Sequence, residues 1–223
     1  MAQVVAQITP IIRYLLIAGV VLAFGCTTTQ PNGCPNGASG ESRVPYYNIQ
    51  DLVSYSDQLS VFTVVSEAEI PLSDENETSG GYVGRNVTIR IDETHWTFRP
   101  DHQTEGEITF VGHGWMEKDT IRTPVVFGNG PRLEVGTQYV GLLVEYVGGR
   151  FGDGTWGVMT PSTIYELEGG VAIAPCDSDS WRAPKIAPLF VGKTVEEIGN
   201  AFEIAKPYPI AIENAHRDAE YRF

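Results

Sequence analysis

Basic side chains are scarce. Fifteen Lys+Arg stand against 28 Asp+Glu in 223 residues, a formal net charge of -13. A surplus of acid repels phosphate backbones, so no nucleic-acid partner is expected. Cysteine is rarer still: Cys26, Cys34 and Cys176 form no CxxC pair and no Cys/His cluster, which removes zinc-ribbon chemistry. The catalytic frames are missing too. There is no G-x-S-x-G elbow, and none of His95, His102, His113 and His216 stands in a recognised catalytic spacing. The glycine-rich stretch 148–154 runs into the strand-like TWGVM rather than a helix, so no helix N-terminus waits for a phosphate. The acid clusters SDENE (73–77) and DSD (177–179) lack the spacing of a calcium loop. No cofactor and no metal is expected.

With 42% hydrophobic and 19% charged residues, the chain is neither a disordered tail, a polytopic membrane protein nor a coiled coil. Its 24 Gly and 14 Pro, with 4 Trp, 10 Tyr and 9 Phe, favour strands and tight turns.

The N-terminus reads as an address. Residues 1–13 carry no acid and end in Arg13, and Tyr14 to Gly25 follow without a charge or a proline. As a helix that stretch would rise about 18 Å, short of the roughly 30 Å hydrocarbon core. It has the length of a signal-peptide h-region. The alternative is an uncleaved anchor that recruits Ile11 and Ile12 while Arg13 snorkels.

Leu22-Ala23-Phe24-Gly25-Cys26 resembles the lipobox of bacterial lipoproteins, with Gly25 and Cys26 at its two most discriminating positions. Ala23 and Phe24 stand where that family usually carries Leu and a small residue. The resemblance implies cleavage before Cys26 and acylation of its thiol. Ala23-Phe24-Gly25 also satisfies the small-x-small pattern of ordinary secretory cleavage, so a freely secreted product is the alternative. Residues 27–42, TTTQPNGCPNGASGES, are a flexible polar spacer, which a lipid-tethered domain needs and a released one does not. The expected organisation is a signal peptide (1–25), a lipidated Cys26 with its tether (26–43) and one β-rich domain (44–223). With Cys26 acylated, Cys34 and Cys176 remain. They could form a disulfide in an oxidising compartment or stay as two separate thiols, and both readings stand.

In the body, Asn48 is expected to cap a short helix with apolar groups at Ile49, Leu52 and Val53. Leu59–Val65 reads as a buried strand, and the alternating Val87, Ile89 and Ile91 as a half-buried one. Further strands are expected at Glu107–Val111, Ile121–Phe127, Gln138–Val147, Thr155–Met159 and Thr163–Leu167. Leu142-Leu143-Val144 marks the 138–147 strand as central. Asp153-Gly154 is a favoured hairpin pair. Thr194 and Glu197 make a capping box for a second helix near 194–206, ended by Pro207 and expected to close one end of the body. The fold class expected is mainly β, an antiparallel sandwich or small barrel, preferably OB-like, with one short N-terminal and one C-terminal helix. Gly114-Trp115, Pro131–Gly136 before Tyr139, and the late Trp156 resemble uncharacterised exported proteins of actinobacteria. That resemblance implies an all-β fold and no known activity.

His113, between Gly112 and Gly114, is the most suggestive histidine, because glycines permit close approach of backbone to a ligand; the alternative is a strand-end histidine beside a bulge. His95 and His102 bracket a loop holding Asp101, a weak hint of a metal or an acid/base pair. Trp96, Trp115, Trp156 and Trp181 are expected at strand ends or loops, where a ring either packs in the core or stacks on a sugar or partner. Candidate ligand-facing residues are thus His113, Trp115, Trp96 and Trp156, with no catalytic residue assigned. The expectation is a lipid-anchored, non-catalytic binding or scaffolding protein on the extracytoplasmic face of the cell membrane. Its partners would be the membrane itself and an envelope protein or glycan. The rivals are an envelope enzyme using His113 or His102 and a freely secreted binding protein.

Overall fold

The computed structural model describes residues 46–70, 81–118, 121–127, 130–146, 154–175 and 185–209, and the backbone of 37–38. All lie in one structural unit, Pro31–Phe223. The signal segment, Cys26, the tether, Cys34, Cys176, Trp181, His216, both acid clusters and the segment after 209 lie outside the described residues.

The elements in chain order are β1 (Gly37–Ala38), α1 (Ile49–Tyr55), β2 (Gln58–Glu69), β3 (Tyr82–Thr97), β4 (Glu107–Lys118), β5 (Ile121–Pro124), β6 (Val126–Phe127), β7 (Gln138–Tyr146), β8 (Thr155–Val158), β9 (Ile164–Glu168), β10 (Val171–Ile173) and α2 (Val195–Ile204). The described body is therefore mainly β with two α-helices, and its main sheet is antiparallel and curled into a half-barrel. The sheet order is β10-β9-β7-β2-β3-β4-β5, with β8 also paired to β7. β1 and β6 form a separate parallel pair. Within the described residues no helix is long and apolar enough to cross a membrane.

Both helix caps form as their sequences predict. The Asn48 side chain accepts from the Asp51 N–H while the Asp51 carboxylate receives the Asn48 N–H, and Thr194 with Glu197 does the same for α2. Strand interiors also follow their sequences, but the ends run further. The alternating segment 87–92 is the middle of the sixteen-residue β3, and the stretch expected to stop at Val111 continues through His113 and Trp115. The 121–127 run divides: β5 extends the main sheet and β6 leaves it. β8 and β9 lie end to end along one side of β7, as one strand interrupted by a 3-10 turn at Pro161–Thr163.

β7 is buried from Tyr139 to Val144, because β2 covers one edge and β8 with β9 the other, and both faces are packed. Its alternate residues enter two separate cores. Val140, Leu142 and Val144 join Leu52 and Val53 of α1 and Ile198 and Phe202 of α2. Tyr139 and Leu143 join Phe62, Val64, Val87, Ile89 and Phe110 inside the curl. α2 closes the first core by setting Phe202 edge-on to Trp96 and Phe190 (centroids 5.4 and 6.3 Å apart). The curl brings β4 against β8, so the inner core is enclosed by the sheet itself.

Candidate functional site

The half-barrel leaves a seam between β4 and β8, and His113 lies on it. Two residues of β4, His113 and Gly114, stand opposite Gly84 alone, because the register slips between Val83/Trp115 and Arg85/Gly112. This bulge bends β4 and turns the His113 side chain toward the seam. Only glycine fits on either side. A Cβ on Gly114 would sit 1.8 Å from the Val83 carbonyl oxygen, and one on Gly112 would sit 2.5 Å from a Val87 methyl. The close approach these glycines permit is to the neighbouring strand rather than to a ligand. The Gly114 N–H donates to the Tyr82 hydroxyl at 3.1 Å, which fixes the bend.

Opposite Gly112, Arg85 points inward and its side chain is 0% exposed. Its Nη1 is paired with Glu67, and its Nη2 donates to the Leu133 carbonyl at 2.7 Å. Nε is buried with no hydrogen-bond partner. Arg132, 9% exposed, donates from Nη1 to the His113 carbonyl at 2.7 Å and from Nε to Glu134 at 3.0 Å. The 131–136 segment that carries it is clamped by Tyr139. That hydroxyl donates to the Arg132 carbonyl at 3.2 Å and accepts the Glu134 N–H at 3.0 Å. Burial pushes the Tyr139 phenol up to about 12, so it stays a donor at any physiological pH.

The charges are unevenly placed. The Arg85 guanidinium is buried and that of Arg132 partly so, whereas their partners Glu67 and Glu134 are 33% and 54% exposed and therefore screened by water. His113 registers the result. Burial, then the Arg85 and Arg132 charges, hold its imidazole down at about 4, so it is neutral at pH 7. Burial and the neighbouring Arg85 likewise lower Arg132 from the usual guanidinium range. Trp115 is wedged into this group with Arg132 over its ring at 4.8 Å and Arg85 and Arg122 each at 5.9 Å. Arg122 is exposed and tied to Glu69 (2.7 and 3.1 Å) and Glu117 (2.6 Å), which raise it further above its ordinary value.

A cavity of about 220 Å³ occupies the seam. Phe110, Leu133, Val158, Met159 and Ile164 make its wall largely apolar, and Arg85, His113, Tyr146 and Thr160 contribute the polar atoms. Among the described residues no carboxylate lines it.

The other candidates are dispersed. Trp96 is 8% exposed and packs against Phe98 and Phe202, so it is a core residue and presents no face to a ligand. Trp156 lies in β8 with the His102 imidazole 5.6 Å from its ring. His102 contacts the Glu145 carboxylate, the arrangement an acid/base reading would want, yet neither residue lines the cavity. The Glu145 N–H is itself held by buried Asp57 at 3.0 Å, with Arg99 4.0 Å from the same carboxylate. His95 meets Glu93 at 3.3 Å, so His95 and His102 each have their own carboxylate, and Asp101 is exposed. Among the described residues no group of three or more His, Cys, Asp or Glu is set to hold a metal.

Arg85 was missed from sequence, though a signal exists. It shares strand parity with Val83, Val87, Ile89 and Ile91, and a charge on the apolar face of a strand marks a buried ion. Arg132 carries no such local signal, because its burial depends on a loop folding across two strands. No protein-family model matches the chain, and no curated protein matches it.

Proposed function

We propose that the chain is a lipid-anchored extracytoplasmic protein whose β-rich body binds a ligand without chemical turnover at the outer face of the cytoplasmic membrane. The anchor rests on the short apolar segment, the Gly25-Cys26 junction and the polar spacer that follows. Binding rests on one observation: a mostly apolar cavity at the half-barrel seam with a buried cation in its wall. Among the described residues the wall supplies no carboxylate to act as a base, and its imidazole, His113, is held neutral by burial and two arginines. The finer fold reading, an OB-like barrel, draws support from the curl that brings β4 against β8. An envelope enzyme is the second reading, and the His102–Glu145 contact is what favours it.

The anchor is tested by intact mass spectrometry of the protein purified from membranes of an exporting bacterial host. The expected result is a chain beginning at Cys26 and carrying fatty acid. In a Cys26→Ala variant the precursor remains unprocessed or the domain is released. An unmodified N-terminus on the membrane-extracted protein overturns the reading.

A further inference from the structure

The seam cavity disfavours charge. Arg85 belongs to its wall but has no accessible surface, and two of its nitrogens are committed to Glu67 and the Leu133 carbonyl. His113 is a titratable group already placed in that wall, and burial, with the Arg85 and Arg132 charges, holds it neutral down to about pH 4. A ligand cation entering beside it would meet the same desolvation and the same two charges. A ligand anion would shed its hydration against a wall whose arginine offers it no exposed atom. We propose that the seam cavity binds a small uncharged molecule, a single ring or a branched short chain, held by contact with Phe110, Leu133, Met159 and Ile164. This rests on the reading of the body as a ligand-binding module.

Size, access and rigidity agree with this ligand class. The volume, about 220 Å³, exceeds the ~150 Å³ of an apolar cavity able to take up benzene, so one ring fits. The space is not a sealed packing gap. Val111 on its margin is 56% exposed, and Val158, Thr160 and Pro161 are half-buried, so solvent reaches the seam. The walls are also fixed. Gly112 and Gly114 set β4 close against β3, and the Tyr139 hydroxyl clamps the segment that carries Leu133. The Tyr146 hydroxyl in the wall already donates to the Val158 carbonyl at 3.2 Å. A preformed wall gives up little freedom on receiving a rigid ring, so contact with hydrocarbon is enough to hold one.

Benzyl alcohol, benzylamine and benzoate share a ring and differ in charge, and they are the probes, titrated by NMR against the full processed protein at pH 7. Benzyl alcohol is expected to bind at least about tenfold more tightly than either ion, because each ion must be desolvated to enter. Its ring should contact the methyl of Met159, which lines the cavity, and not that of Met116, which is 40% exposed on β4 and outside it. Val158→Trp fills the cavity from a half-buried position on β8 and should abolish both the contacts and the binding. Should that variant fail to fold, the choice between the two methionines in the parent protein decides the site by itself. An ion that binds as tightly as the alcohol overturns the uncharged class while the cavity stands as a binding site. Contacts at Met116 alone, or a folded Val158→Trp that binds like the parent, overturn the site. So does the absence of binding by any probe at about 10 mM, because even weak millimolar complexes would be seen. None of these outcomes touches the anchor, which the mass of the N-terminus decides separately.

Discussion

On the helix side of β7, Val140, Leu142 and Val144 meet Phe190, Ile198 and Phe202, and the space between sheet and helices is filled by rings and branched chains. Tyr165 stacks on Phe190 with centroids 4.7 Å apart, and Phe202 stands edge-on to Trp96 at 5.4 Å. On the inner side, Tyr139 and Leu143 share their core with a seam where Arg85 is sealed from water and a cavity remains. The same strand thus faces a region packed only for stability and a region that gives up stability. Deletion of hydrocarbon from the first leaves a void that nothing needs. The second tolerates a void, a buried arginine nitrogen without a hydrogen-bond partner and a neutralised histidine.

The largest effect should come from the packed side. Phe202→Ala removes a ring that touches both Trp96 and Phe190 and is expected to cost about 3–5 kcal/mol of unfolding free energy. Urea denaturation measures it.

Next comes the pH response of the seam. Between pH 6.5 and about 4 the unfolded chain protonates His113 and the folded chain does not, so acid favours unfolding through this window. The contribution is fully present above pH 6.5 and falls as pH drops toward 4, by at most about 3 kcal/mol. His113→Asn should therefore flatten the fall in stability over that window relative to the parent. Parallel pH profiles for the two proteins would mean that the imidazole accepts a proton in the folded state. The smallest effect belongs to the helix that covers the packed side. Thr194→Ala deletes the oxygen that accepts the Glu197 N–H at 3.2 Å and should lower stability by about 1 kcal/mol, seen in the same urea titration.

Much of the β architecture could be read from local pattern. A run of β-branched and aromatic residues located β2, period-two alternation β3 and an unbroken apolar succession β7, while Asn48 was visible as a cap and Thr194 with Glu197 as a capping box. The ends of β4 were not, because Gly112 and Gly114 look like strand breakers and only the packed neighbour explains them: each glycine makes room for β3. β10 escaped notice because a three-residue strand is held by its partner rather than by its own propensity. His113 does stand beside a bulge, though inside β4 rather than at a strand end, while Trp96 went to the core because β3 ends under α2.

By itself the amino-acid order determined the strand and helix periodicity, the caps, the acid surplus and the short apolar stretch before Gly25-Cys26, since each depends on neighbours a few residues apart. Tertiary structure alone decided which face of each strand meets helices and which meets the curl, and so which arginines lose their water. Arg85, Arg132 and His113 are far apart along the chain, and they share one field because β3 pairs with β4 and the Arg132 side chain reaches the His113 carbonyl. Parity along a strand tells inside from outside; it carries no information about what closes over the inside.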